Sequence, residues 1–220
     1  MIIAIDGPAG AGKSTVAKIL AQRLGFLYID TGAMYRALTL KAIEKNIDIT
    51  NQCLVAELAR ESNIDLINDK SGGALKVFLD GRDVSQEIRQ PRITKIVSDI
   101  AKIKEVRHVL LELQRQLGRK KDSVLDGRDI GTVVFPEADK KFYIDARPDE
   151  RSLRRYKELK GSGQDVALAD VRKDLQNRDT IDSTRDFAPL KKAEDAVYID
   201  TTDMTIEEVV NQMLGNIKNN

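Results

Sequence analysis

Gly7-Pro-Ala-Gly-Ala-Gly-Lys-Ser14 has the spacing G-x-x-x-x-G-K-[ST], and it follows the apolar run Ile2-Ile3-Ala4-Ile5. The chemistry of that spacing is phosphate capture. A Gly-rich turn leading into a helix directs backbone N–H groups and the positive end of the helix dipole at an anion. Gly7, Pro8, Ala9, Gly10, Ala11, Gly12, Lys13, Ser14 and Thr15 are therefore the expected contacts of a nucleoside triphosphate, ATP in the simplest case. Lys13 reaches the β- and γ-phosphates, and Ser14 is a ligand for Mg²⁺.

Three further clusters suggest a second phosphate-bearing ligand. Asp30-Thr-Gly-Ala-Met-Tyr-Arg36 brings Thr31 and Arg36 to the start of a helix. Asp126-Gly-Arg-Asp129 places Asp126 where a strand-end carboxylate acts on Mg²⁺ through water, with Arg128 beside it. Arg178, Asp182 and Arg185 form the last cluster. Two polyanions aligned end to end need Lys, Arg and Mg²⁺ for phosphoryl transfer, because the catalysis is mostly positioning and charge stabilisation. A phosphate acceptor has a second pKa of about 6 and needs no general base at neutral pH. A hydroxyl acceptor served by an aspartate stays open.

These clusters need a scaffold. Ile2–Ile5, Leu27–Ile29, Val124–Leu125, Phe142–Ile144 and Val197–Ile199 are short apolar runs alternating with helical patterns. That alternation predicts an α/β fold, a doubly wound five-stranded parallel sheet with helices on both faces. Asp or Thr follows each run, and the carboxyl ends of such strands face the ligand crevice. Val16, Ile19, Leu20 and Leu24 mark the first helix, closed by Gly25. Helices are also expected from about Pro91 to Ala101 and from about Lys104 to Leu117.

Two segments break the rhythm. Ile64–Ile67, a turn at Asn68–Gly73 and Leu75–Leu79 read as a small antiparallel β insertion within 61–85, leaving 1–60 and 86–220 as the core domain. Pro148–Gln164 reads as a short helical lid within that core. In it Arg151, Arg154 and Arg155 fall at i, i+3 and i+4, on one helical face. The expected function of that face is closure over ATP, with Arg151 and Arg155 stabilising the transferring charge.

Composition narrows the classes. The 220 residues are 41% hydrophobic and 32% charged with net charge +1, which suits a soluble globular protein and gives no large footprint for nucleic acid or membrane. No apolar stretch is long enough to span a bilayer. With one cysteine, Cys53, there is no internal disulfide; it is expected as a small buried residue in a helix. The default address is cytoplasmic and the default state a monomer. A lone histidine, His108, cannot build a metal cluster and is read as structural. The guanine-selecting N-K-x-D is absent, and the one D-x-x-G, Asp69–Gly72, lies in a polar turn, which argues against a signalling GTPase.

At this point the chain resembles the bacterial cytidylate kinase family over nearly its whole length. The resemblance rests on Ile5–Thr15, Asp30–Arg36, Asp126-Gly-Arg-Asp-Ile-Gly-Thr-Val-Val-Phe-Pro136, and Arg178–Arg185 with Ala188-Pro-Leu190. It implies ATP-dependent phosphorylation of CMP or dCMP in pyrimidine metabolism. It also implies that the antiparallel insertion belongs to a monophosphate-binding region and that the lid is mobile. By that resemblance Thr31, Arg36, Arg128 and Arg185 hold the CMP phosphate. Asp182 and Arg178 lie at the pentose, with Arg178 also available to phosphate. Ser98, Arg107 and Asp129 read the cytosine edge. Cytosine offers an N4 donor beside the N3 and O2 acceptors, so Asp129 accepts while Arg107 and Ser98 donate; uracil inverts the pattern. The alternatives are a P-loop kinase for another small acceptor, or a nucleotide sensor without catalysis.

Overall fold

The computed structural model describes residues 1–67 and 75–218. The turn expected at Asn68–Gly73, with its Asp69–Gly72, lies outside the described residues. Five strands form one sheet in the order β2-β6-β1-β7-β8, and every pairing is parallel. They are β1 (Ile2–Asp6), β2 (Leu27–Asp30), β6 (Ser123–Gly127), β7 (Lys140–Asp145) and β8 (Val197–Asp200). Ile3, Ala4 and Ile5 are each fully buried. Consecutive strand residues point to opposite faces, so both faces of the central strand are covered. Each expected apolar run is present, extended by a residue or two at its ends.

The covering helices are α1 (Lys13–Leu24), α2 (Thr31–Glu44), α3 (Gln52–Arg60), α4 (Pro91–Ala101), α5 (Lys104–Gly118), α6 (Pro148–Gly161), α7 (Leu168–Thr184) and α8 (Ile206–Lys218). Gly25 ends α1 and returns its N–H to Gln22 and Ala21 carbonyls. Pro91 and Pro148 open α4 and α6 at the position where the missing N–H costs nothing. Strands β3 (Ile64–Ile67), β4 (Lys76–Leu79) and β5 (Arg82–Asp83) form a separate antiparallel sheet. Its buried Ile64, Val77 and Leu79 join the same apolar cluster as Phe142 and Leu38 of the main layer. That continuity fixes the insertion against α2. Burying a side chain of this size stabilises the fold by about 1.5–3 kcal/mol. Among the described residues no helix is long and apolar enough to cross a membrane.

Two expectations about single residues meet the structure differently. Cys53 is exposed, not buried. It lies in the first turn of α3, whose inward stripe is Val55, Ala56, Leu58 and Ala59, and a position two residues before Val55 falls off that stripe. His108 sits on α5 with its ring 4.6 Å from that of Phe187, a packing contact in keeping with a structural role.

Candidate active site

The loop between β1 and α1 depends on a residue without a side chain. Gly7 has φ +148°, and a Cβ there would collide with the Ile144 carbonyl of β7. The chain passes this close because β7 pairs directly beside β1. Lys13 is the first residue of α1 and is buried, and its Nζ donates to the Pro8 carbonyl at 2.6 Å. Burial, then the charge of Arg128, push its pKa down to about 7. The ammonium is thus folded back on its own loop.

Register brings the carboxylates together. Asp30 of β2 lies beside Asp126 of β6. Ser14 Oγ donates to Asp126 Oδ2 at 2.7 Å, and the Tyr28 hydroxyl donates to Oδ1 at 2.9 Å. Burial first, and then the Asp30 charge, raise the Asp126 pKa. Asp30 accepts from the Ala33 N–H at the start of α2 and pairs with Arg36 at 2.9 Å. Thr31 donates its hydroxyl to the Asp126 carbonyl at 2.7 Å.

Beyond Asp126 runs a chain of alternating charge. Arg128 Nε donates to Asp182 Oδ2 at 2.8 Å, and Asp182 also lies 3.7 Å from Arg185. Arg185 approaches Asp129 at 3.5 Å, and Asp129 holds Arg107 through its other oxygen. Arg107 stands over the Tyr35 ring, 5.3 Å from its centroid. Arg178 differs: its Nε is buried with no hydrogen-bond partner among the described residues. Burial and the neighbouring Arg128 bring its pKa down to about 10. Arg36 and Arg107 each also leave a buried Nε without a partner. Buried donors without partners, gathered at a strand edge, make a place for an anion.

One crevice of about 1490 Å³ connects these groups. Ala9 to Thr15 line it, as do Thr31, Arg36, Ser98, Arg107, Asp126, Arg128 and Asp129, with Arg155, Arg178, Asp182 and Arg185. Gly7 and Pro8 are not among its lining residues. Arg151 does not reach it, and the three arginines of α6 do not present one free face. Arg151 turns inward, donating to the Ala146 carbonyl at 3.0 Å and the Ala9 carbonyl at 2.9 Å. Its place in the first turn of α6 lies against the P-loop, and burial there is satisfied only by bonding. Arg154 is anchored to Glu150 at 2.9 Å and to the Thr201 carbonyl at 2.6 Å. Arg155 is paired with Glu158 at 2.8 Å and lies at the crevice rim.

Three contributors were not singled out from sequence. Tyr28 orients Asp126. Asp6, at the end of β1, accepts from the Ile130 and Gly131 N–H groups at 2.8 and 2.7 Å, holding the turn that carries Arg128 and Asp129. Its pKa is raised to about 7, chiefly by burial. Asp179 accepts from the Ala9 N–H at 3.2 Å. Tyr28 had a faint signal, since it shares a strand face with Asp30.

Ser14 Oγ and Asp126 Oδ2 are two hard oxygens in contact, and the described residues hold no cluster of three or more His, Cys, Asp or Glu able to bind a metal. Such a partial set fits Mg²⁺, which keeps waters and shares substrate phosphate oxygens.

A P-loop at the carboxyl edge of a parallel sheet, sharing one crevice with arginines of which three keep a buried Nε without a partner, defines a small P-loop phosphotransferase. Among solved structures, an uncharacterized protein from Eubacterium ventriosum is similar with TM-score 0.53 at 14% identity, covering 100% of this chain and 99% of that one. A gluconokinase from Sinorhizobium meliloti is similar with TM-score 0.50 at 12% identity, covering 98% and 90%. Both likenesses concern the fold.

The chain belongs to the cytidylate kinase family, whose model matches residues 3–219. A cytidylate kinase of Alkaliphilus oremlandii is 53% identical, over 98% of this chain and 97% of the relative. One of Clostridioides difficile is 50% identical, over 99% and 98%.

Proposed function

We propose how this chain carries out the activity its family membership gives it, the ATP-dependent phosphorylation of CMP or dCMP. The P-loop receives the donor triphosphate. Lys13 exchanges the Pro8 carbonyl for phosphate oxygens and is recharged by them, since an adjacent anion favours the ammonium. The acceptor phosphate lies against Arg36, Arg128, Arg178 and Arg185. At neutral pH it is largely a dianion, so its oxygen attacks without a general base. Arg178 and Arg128 then face the charge that spreads over the transferring oxygens. Arg155 swings in from the rim when the lid closes and excludes water.

Asp129 accepts from the cytosine N4 amine. A carboxylate has about four acceptor positions, so pairing with Arg107 and Arg185 leaves room for that bond. Arg107 and Ser98 donate to N3 and O2, and Asp182 holds the pentose. Ser14 and Asp126 would hold Mg²⁺, which when bound neutralises phosphate charge. A cytoplasmic, monomeric enzyme of pyrimidine metabolism fits the balanced charge and single exposed cysteine.

The observation that carries this reading is the unpartnered Nε of Arg178, in the same crevice as Lys13. The test is ADP release with CMP, dCMP, UMP and AMP in parallel. Turnover with CMP and dCMP well above that with UMP and AMP is expected. Equal turnover of all four, or none with CMP, contradicts the reading.

A further inference from the structure

Ala9, at the tip of the P-loop, has its backbone held from outside the loop. Its N–H is donated to Asp179 Oδ1 at 3.2 Å, and its carbonyl accepts from Arg151 Nη1 at 2.9 Å. The same Arg151 nitrogen donates to Asp179 Oδ2 at 2.5 Å. The Ala9 methyl packs with Val171 and Leu175 in a small cluster apart from the main core. Val171, Leu175 and Asp179 recur every four residues, so one stripe of α7 grips the loop tip. The first turn of α6 closes on it from the other side. A Cβ on Gly10, where φ is +77°, would come 3.1 Å from the Arg151 carbonyl oxygen and 3.2 Å from its Cβ.

The adjoining face of α7 turns toward the crevice, which Ala9 and Leu175 also line. Arg178 and Asp182 line the crevice, and Asp182 holds Arg128. Thus Asp179, which reads the donor loop, is the immediate neighbour of Arg178, which faces the transferred phosphate. A rigid helix carries a displacement of one face to the other.

We propose that Asp179 and Arg151 are positioning residues that clamp the P-loop at Ala9 to α7, so that filling the donor site and filling the acceptor site favour one another. The inference rests on the kinase reading above and adds the energetic link between its two sites. A donor triphosphate fixes the loop tip; through Ala9 and Asp179 the tip fixes α7, and α7 then presents Arg178 and Asp182 in place. Such coupling is reciprocal: the factor by which the donor tightens the acceptor equals the factor by which the acceptor tightens the donor.

The experiment is calorimetric titration of the full chain with CMP, with and without a non-transferable ATP analogue and Mg²⁺. In the wild type the analogue is expected to tighten CMP binding by about fivefold or more. In Asp179→Ala that factor falls to about one. Asp179→Asn keeps an acceptor for the Ala9 N–H but loses the charge that holds Arg151, so its factor is intermediate. Should Asp179→Ala fail to fold, Asp179→Asn and Arg151→Lys decide the question by the same factor. An unchanged factor in the folded variants, or no coupling in a wild type that binds both nucleotides, overturns the clamp. A wild type that binds neither nucleotide instead overturns the kinase reading beneath it. Equal weakening of each nucleotide alone with coupling retained assigns Asp179 to structure only and likewise overturns the proposal.

Discussion

Ser14 Oγ stands 2.7 Å from Asp126 Oδ2, although 112 residues separate them in the chain. The pairing of β1 with β6 brings them together, and the Tyr28 hydroxyl fixes the remaining carboxylate oxygen. This pair is the site expected for Mg²⁺. Asp126→Asn should raise the Mg²⁺ concentration for half-maximal activity about 10–100-fold, the usual cost of losing a group that acts through a metal-bound water. Tyr28→Phe should shift it in the same direction by less. Activity titrated against Mg²⁺ at saturating nucleotide checks both.

Lys13 provides a test by proton count. With its pKa pushed down to about 7 by burial and by Arg128, it is mostly neutral in the free protein at pH 8. A bound polyphosphate restores the charged form. Nucleotide binding at pH 8 should therefore take up close to one proton, and much less at pH 6. Titration calorimetry in two buffers of different ionisation enthalpy measures this, and Lys13→Met should abolish the uptake.

Arg178 should trade stability for activity. Its Nε is buried without a partner and its pKa is held down by burial. Arg178→Met removes that burden, so Tm should stay level or rise, while kcat falls by about 10²–10³, as for loss of one transition-state donor. Arg151→Met should do the opposite to stability, because it breaks bonds to Ala9, Ala146 and Asp179. Thermal unfolding and kinetics on the two variants separate them.

The five strands and the three charged clusters were legible because buried parallel strands read as apolar runs and their polar ends converge by topology. Arg151 was not. Helical periodicity places 151, 154 and 155 together, but it is silent on which neighbour the first turn of α6 meets, and the P-loop claims Arg151. Asp6, legible only as one of the strand-end aspartates, and Asp179 carry no role in the sequence for a related reason. Each accepts from main-chain N–H groups more than a hundred residues away, which no side-chain pattern announces. For Cys53 residue type favours burial, while the stripe of α3 decides against it.

Base choice should turn on Asp129. Asp129→Ala would strand the buried Arg107 and Arg185, so the cleaner change is Asp129→Asn. It keeps the shape and offers a donor to uracil O4 where the carboxylate could only accept. The ratio of kcat/KM for CMP over UMP should fall at least about tenfold, equivalent to about 1.4 kcal/mol. An unchanged ratio removes Asp129 from base recognition.

Asp6 predicts a pH signature in stability. Its pKa is raised from 3.8 to about 7 in the fold, mainly by burial. Between those values the native state binds more protons than the unfolded chain, so this group's contribution declines as pH rises and is lost above about 7. The stability of wild type relative to Asp6→Asn should therefore fall between pH 4 and 7, by up to about 1.4 kcal/mol per pH unit, and level off beyond. Urea unfolding of both proteins across that range measures it.

Every step above depends on donor and acceptor lying end to end in one crevice. The most direct test of that arrangement is titration with a single molecule in which adenosine and cytidine are joined through five phosphates. One molecule should bind per chain, more tightly than ATP or CMP, and both nucleotides should displace it. Binding of two molecules per chain, or displacement by only one of the nucleotides, would contradict the shared crevice.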